Sequence, residues 1–235
     1  MGFIKKYALP LSLLSLIVIY LLTRLYNLLG LPIFTDEAIY IRWSQIALQD
    51  ASWRFISLTD GKQPMFVWLA MIFLKFINDP LLASRLVSVL SGLATAIALF
   101  FIAKEIFKNN KIPLLSSLLY IIFPFALVYD RIAMYDSLVA MFIMWSLYFE
   151  ILLVKRLRLD IALILGMIIG LGLLTKTSAY FALILLPFSL LLFAWQNKNL
   201  KKNLLRWFGF VLITSILANI IYSILRLSPF FYIIG

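Results

Sequence analysis

At 235 residues the chain is long enough for one or two soluble domains, yet 64% of it is hydrophobic and only 13% charged, against roughly half and a quarter in soluble domains. That apolar excess excludes a water-soluble fold and makes lipid the solvent, in which the spans are expected to be helices because lipid offers unpaired backbone groups no partner. A net charge of +11 would suggest nucleic acid in a soluble protein, but here Lys and Arg sit in short loops between apolar runs, where they hold loops on the cytoplasmic side, so no nucleic-acid partner is expected.

Apolar runs cover Tyr7–Leu29, Pro64–Ile77, Leu81–Ala103, Ile112–Val128, Ser137–Val154, Ile161–Thr175, Ala179–Trp195 and Trp207–Leu225. The first follows Lys5 and Lys6 and shows no small-residue cleavage site, so it reads as an uncleaved signal anchor. The second is short and carries Lys75. Basic clusters decide its status: Lys5-Lys6; Lys104, Lys108 and Lys111; Lys155, Arg156 and Arg158; Lys198, Lys201, Lys202 and Arg206. All four fall on one side only if Pro64–Ile77 does not cross. The expectation is an all-α polytopic bundle of about seven spans, with Pro64–Ile77 juxtamembrane or re-entrant on the outer side. Residues 1–235 then form a single transmembrane module, and Gly30–Asp79 is its first outer loop.

That loop has internal order. Thr35 is expected to cap a helix with Asp36 and Glu37 at its positive end. Ile39, Trp43, Ile46 and Ala47 form an apolar stripe, with Arg42, Gln45 and Gln49 off it, as in a helix lying on the bilayer. Gly166, Gly170 and Gly172 read as helix-packing positions rather than a phosphate loop, because no strand precedes them.

With no Cys and no His, disulfides and Cys/His zinc sites are excluded. A general base must be a carboxylate or, less often, Lys or Tyr. Asp36, Glu37, Asp50, Asp60, Asp79, Asp130 and Asp136 fall on the outer side, as do Arg42, Arg54, Lys62, Lys75, Arg85, Arg131 and Lys176. Carboxylates and cations converging on a membrane-level cavity suit transfer from a phosphate-bearing lipid: the carboxylate takes a proton from the acceptor and the cations hold the leaving phosphate. Each also has a plain reading. Asp36-Glu37 can be a helix start, Lys62 a solvated loop residue, Arg85 a snorkelling side chain, and Asp130, Arg131 and Asp136 turn residues. Glu150 is expected to pair with Lys155 and Arg156.

Five segments in order carry a resemblance: "FTDEAIYIRWSQ", "GKQPMFVWLA", "ASRLVSVLSGLATAIALFFIAKEIF", "DRIAMYDSLVAMFIMWSLYF" and "GLGLLTKTSAYFALILLP". Together they resemble the GT-C superfamily of polyprenyl-phosphate-sugar-dependent glycosyltransferases, in the branch of protein O-mannosyltransferases and lipid A aminoarabinose transferases. The resemblance implies an inverting transferase working outside the cytoplasm, on a polyprenyl-phosphate-sugar donor and a protein, lipid or glycan acceptor. It makes Asp36 the catalytic aspartate, Glu37 its acidic partner, Tyr40 a neighbouring aromatic, Lys62 a donor-phosphate ligand and Asp136 the acidic residue of the second outer loop. Arg85, Arg131 and Lys176 match basic positions facing the lipid phosphate. Oxygen ligands such as Asp36, Glu37 and Asp136 suit Mg²⁺ or Mn²⁺, but no metal or other cofactor is predicted. The chain departs from the family in having Gln63-Pro64 where the family has a Pro-Pro pair. It corresponds to the N-terminal portion of a typical member, without the later spans and soluble outer domain, so a second subunit supplying spans is a conceivable partner. The alternatives are a transporter or flippase for a lipid-linked or anionic solute, disfavoured by the scarcity of mid-membrane charge, and a non-catalytic membrane scaffold.

Overall fold

A computed structural model describes residues 2–196 and 200–226. Among them lie ten α-helices and no strand: α1 (Gly2–Leu25), α2 (Thr35–Gln49), α3 (Met65–Leu74), α4 (Pro80–Ile106), α5 (Lys111–Ile122), α6 (Pro124–Tyr129), α7 (Tyr135–Arg156), α8 (Leu159–Leu173), α9 (Tyr180–Gln196) and α10 (Leu200–Arg226). The protein is an all-α membrane helix bundle. Five segments are long and apolar enough to cross a bilayer, and they map to α1, α4, α7, α9 and α10. The other two expected spans are shorter. α8 has 15 residues. The α5–α6 segment is interrupted at Phe123, because Pro124 has no N–H to continue the ladder.

α3 has ten residues and is about 15 Å long at 1.5 Å per residue, half the ~30 Å hydrocarbon core. It does not carry the chain to the other end of the bundle. Arg85, near the start of α4, donates to the carbonyl of Leu28, just past the end of α1, so the chain leaves and re-enters the bundle at the same end. Met65 at the start of α3 donates to the Leu174 carbonyl, just past the end of α8. At the opposite end, Lys155 and Arg156 of α7 pair with Glu105 of α4 at 3.1 and 3.4 Å. This corrects the pairing expected for Glu150: the two cations go to Glu105, which the α4–α7 packing brings beside them, while Glu150 is buried one turn or more away. Of the four basic clusters, the first and fourth include side chains outside the described residues.

Single cysteines test this arrangement, since the chain has none of its own. In sealed vesicles, Lys62→Cys and Asp136→Cys are expected to react with an impermeant maleimide from one side and Lys108→Cys only from the other. Labelling of positions 62 and 136 from opposite sides would refute it.

Small residues set the helix spacing, as membrane packing without a hydrophobic driving force requires. α4 buries Ser84, Ser88, Ser91, Gly92, Thr95 and Ala96. A Cβ on Gly92 would lie 2.3 Å from both the Asp130 carboxyl and the Tyr20 hydroxyl. α8 meets α10 through Gly166 and Gly170, where a Cβ would come within 3.0 Å of the Thr214 carbonyl and 2.9 Å of Ile221. Gly172 faces Phe142 and Ala179. These glycines are packing positions, as the missing strand indicates.

A buried polar knot ties α1 to α5, α7 and the turn after α6. Arg24 and Asp130, 0% and 1% exposed, pair at 3.5 Å. Asp130 also accepts from the hydroxyls of Tyr20 at 3.2 Å, Tyr120 at 3.0 Å and Ser137 at 2.9 Å. Arg24 donates to the Ile121 carbonyl at 2.6 Å. Asp130 is therefore a member of this network rather than a plain turn residue.

α2 departs from expectation in its capping. Its N-cap is Phe34, and the Phe34 N–H donates to the Glu37 carboxylate at 3.3 Å, so Glu37 does the capping expected of Thr35. Its buried residues are Glu37, Tyr40, Ser44 and Ala47, whereas Ile39 is exposed. Of the apolar stripe, Ile39 is exposed, Trp43 and Ile46 are half-buried and Ala47 is buried; the tightest contact with the protein adds Tyr40 and Ser44.

Candidate functional site

At the end of the bundle opposite the Glu105 pairs lies a cavity of about 200 Å³, bounded by four short stretches. α2 contributes Asp36 and Tyr40, the turn before α3 contributes residues 61–63, the start of α7 contributes Met134, Tyr135 and Asp136, and the turn after α8 contributes residues 175–177. Five of the eight predicted site residues line it: Asp36, Tyr40, Lys62, Asp136 and Lys176. Its wall is richly polar, unlike the almost wholly apolar 250 Å³ cavity between α1, α4 and α5.

Local geometry explains the convergence. Asp36 lies in the first turn of α2, where the helix dipole favours negative charge. Gly61 takes φ +69°, a left-handed conformation that suits glycine, and turns the chain so that Lys62 N–H reaches the Ser57 carbonyl at 3.0 Å. Asp136 lies in the first turn of α7. Lys176 follows the end of α8, its N–H on the Gly172 carbonyl at 3.2 Å.

The side chains form two polar pairs. Tyr40 donates to Asp36 at 3.4 Å. Burial, the charge of Asp36 and this hydrogen bond push the Tyr40 pKa up to about 12, so the phenol keeps its proton and is a donor at neutral pH. Tyr135 meets the Tyr40 ring edge-on at 4.7 Å and holds it in place. Across the cavity, Lys176 pairs with Asp136 at 2.8 Å, both partners being about two-fifths exposed. Lys62 is exposed. The arrangement offers two carboxylates that can accept a proton or orient a hydroxyl and two cations that can hold an oxyanion. Among the described residues, no group of three Asp, Glu, His or Cys side chains could hold a metal ion.

Glu37, Arg85 and Arg131 do not line the cavity. Glu37 and Arg85 are both fully buried and form a two-pronged pair, Nε to Oε1 at 2.7 Å and Nη2 to Oε2 at 2.8 Å. The same arginine donates to Leu28 and Leu31 carbonyls at 2.5 and 3.1 Å, and Glu37 accepts from Ala133 N–H at 2.7 Å. Burial pulls the Glu37 pKa upward, but hydrogen bonds from Arg85 and Ala133 outweigh it and hold the carboxyl below its ordinary value. Far from snorkelling, Arg85 clamps the segment between α1 and α2 to α4, and Glu37 ties in the turn before α7. Arg131 donates to the Tyr26 and Asn27 carbonyls at 2.8 and 3.0 Å, which fixes the segment between α6 and α7 to the turn after α1. These three side chains hold up the segments that carry Asp36 and Asp136.

Thr175 and Thr177 are cavity residues that the sequence did not single out, although both flank Lys176. Gln63, noted only as a departure, is buried in the wall.

Comparison with known proteins bears on the family of the chain. The profile of the family described as "Dolichyl-phosphate-mannose-protein mannosyltransferase" matches residues 61–222. A relative named undecaprenyl phosphate-alpha-4-amino-4-deoxy-L-arabinose arabinosyl transferase, from Wigglesworthia glossinidia brevipalpis, is 28% identical over 216 residues, covering 87% of this chain and 37% of that protein. A protein of the same name, numbered 1, from Pseudomonas fluorescens (strain Pf0-1) is 28% identical over 211 residues, covering 83% of this chain and 35% of its own length. The chain spans a little over a third of these relatives.

Proposed function

Because the chain belongs to the dolichyl-phosphate-mannose-protein mannosyltransferase family, we propose that it is a glycosyltransferase module moving a sugar from a polyprenyl-phosphate donor to a protein, lipid or glycan acceptor on the extracytoplasmic face of the cell membrane. The observation that carries this reading is the grouping of Asp36, Tyr40, Lys62, Asp136 and Lys176 on one cavity of a membrane bundle. The relatives' names supply the donor class: an undecaprenyl-phosphate-linked aminoarabinose.

In this proposal the donor's isoprenoid tail stays in the bilayer and its phosphate enters between Lys62 and Lys176. Asp36 takes the proton from the acceptor hydroxyl. The acceptor oxygen bonds to the anomeric carbon from the face opposite the phosphate, the bond from that carbon to the phosphate oxygen breaks, and configuration inverts. Polyprenyl phosphate leaves with its charge held by the lysines. Lys176 pairs with Asp136, so in this proposal the phosphate competes with that carboxylate for the cation and frees it to orient the acceptor. Glu37, Arg85 and Arg131 act from behind the cavity as positioning residues.

Geranyl phosphate, a short donor mimic, tests the phosphate site. The protein in nanodiscs is expected to bind it, and Lys62→Ala to weaken binding by about tenfold or more, since a hydrogen bond to a charged group is worth roughly 1.5–3 kcal/mol and about 1.4 kcal/mol is tenfold. No binding by the wild type, or undiminished binding by the variant, would overturn the assignment.

A further inference from the structure

The apolar cavity between α1, α4 and α5 has no part in the transfer chemistry. It holds about 250 Å³ and is lined by residues between Leu13 and Tyr20 on α1 and between Leu93 and Phe101 on α4, and by Ser117 and Ile121 on α5. At 1.5 Å per residue these stretches make a slot about 10–12 Å long, parallel to the helices. Its two hydroxyls are engaged inside the protein: Ser117 donates to the Ala96 carbonyl and Tyr20 to the Val89 carbonyl, each at 2.8 Å. The wall keeps nothing for water, and a dry apolar cavity of this size takes apolar ligands. One end of the slot stops at the polar knot, where Tyr20 bonds to Asp130 and the Ile121 carbonyl accepts from Arg24. Phe101, in its wall, is exposed, so the slot borders the lipid.

Uncompensated charge lies beyond the other end. Lys104 follows Phe101 by three residues of α4, about 5 Å along its axis, and Lys108 and Lys111 lie in the connection to α5 and at its first residue. All three are exposed. Lys104 donates to the Asn110 side chain, and among the described residues none of the three has an ion pair. The adjacent carboxylate, Glu105, is turned to Lys155 and Arg156, and Arg158 pairs with Asp160 at 2.7 Å. At this end of the bundle, then, the basic residues around the α7–α8 connection have carboxylate partners and those around the α4–α5 connection do not.

We propose that the slot and these lysines form one binding site for an anionic phospholipid of the leaflet at the Glu105 end, with a hydrocarbon chain in the slot and the headgroup phosphate on Lys104, Lys108 and Lys111. The site does not depend on the transferase reading. The slot runs along the helices, as lipid chains do, and the lysines lie at the end where the headgroup of such a lipid sits. Basic clusters at the ends of membrane helices recognise anionic headgroups in this way. Lysines that only hold a loop on its side of the membrane need no cavity beside them. A donor's polyprenyl tail fits the slot less well, because its phosphate belongs at the Asp36 cavity, at the far end of the bundle, and the knot closes the slot on that side.

The experiment places the whole chain in phosphatidylcholine nanodiscs with a trace of phosphatidylglycerol that carries a photoreactive diazirine in mid-chain. Illumination is expected to label the slot residues of α1, α4 and α5, and added unlabelled phosphatidylglycerol to suppress that labelling although the zwitterionic host lipid does not. Lys108→Gln is expected to lower it about fivefold, the worth of one lysine near an anionic headgroup. Arg158→Gln, the same charge change at the same end, is expected to leave it at the wild-type level. Labelling confined to other helices, or labelling that phosphatidylglycerol does not displace, overturns the proposal. So does full labelling in Lys108→Gln, and so does an equal loss in the two variants, which marks general attraction to a basic face. Suppression by undecaprenyl phosphate at lower amounts than by phosphatidylglycerol would give the slot to the donor and overturn the proposal as well.

Discussion

Replacing Asp36 with Asn is expected to slow sugar transfer by about 10²–10⁴-fold, the range attributed to a positioned general base, while leaving membrane insertion and folding intact. The side chain keeps its size and can still accept from Tyr40, which lies 3.4 Å away. What it loses is the ability to take up a proton. Asp36 lies outside the buried networks formed by Glu37 and Asp130, so the change leaves no buried charge behind. The measurement is transfer of radiolabelled sugar from polyprenyl phosphate to membrane acceptors, with detergent-extracted protein checked for a single elution peak. Wild-type turnover in the variant would remove Asp36 from the mechanism. A similar loss in Glu37→Gln would carry less information, because that residue supports the fold.

Arg85→Met is expected to have the largest effect on stability, about 3–5 kcal/mol, as found when one partner of a buried ion pair is removed. The loss leaves the Glu37 carboxylate buried and opens the clamp on the Leu28 and Leu31 carbonyls. Unfolding in mixed detergent micelles measures it. The double variant Glu37→Leu with Arg85→Met is expected to be less unstable than the sum of the single variants, because neither charge is then left alone. The pair also has a pH signature. Glu37 is more acidic in the folded protein than its ordinary pKa of 4.5. Its contribution is therefore fully present above about 4.5 and is lost as pH falls through the lower, folded-state value. Acidification below 4.5 is expected to destabilise the wild type more steeply than the double variant. Equal slopes would remove Glu37 as the source.

Charge in an apolar sequence made much of the architecture legible. A lysine or arginine cluster is conspicuous between hydrophobic runs, and its placement makes Pro64–Ile77 the run expected not to cross; the short α3, with Arg85 and Leu28 meeting at one end of the bundle, fits that expectation. Asp36, Lys62, Asp136 and Lys176 stood out for the same reason, since few residues there can do chemistry. The sequence did not reveal which charges face the cavity and which face each other. Glu37 and Asp36 are adjacent, yet a helix turns about 100° per residue, so one points at Arg85 and the other at the cavity. Local spacing points Lys155 and Arg156 at Glu150; tertiary packing of α4 on α7 gives them Glu105 instead. Arg24 lay inside an apolar run and Asp130 in a loop, 106 residues apart, and nothing local joins them. Gln63 is visible in the sequence only as an odd residue beside Lys62, because its partner Tyr222 lies 159 residues on.

The Arg24–Asp130 pair has a consequence for how the chain is made. Arg24 is synthesised with the first membrane helix, long before its partner leaves the ribosome. Until α6 and the following turn are complete, α1 carries a cation with no carboxylate to meet, near the end of a run that must enter lipid. Translocation scales put an arginine at mid-helix at about 2.5–3.5 kcal/mol, with less cost close to the interface, where the side chain can snorkel. The first helix therefore waits in a shallow or protected position and settles only when Asp130 arrives with Tyr120 and Ser137. α1 is made before α5, α6 and α7, and is expected to lock in place only after them.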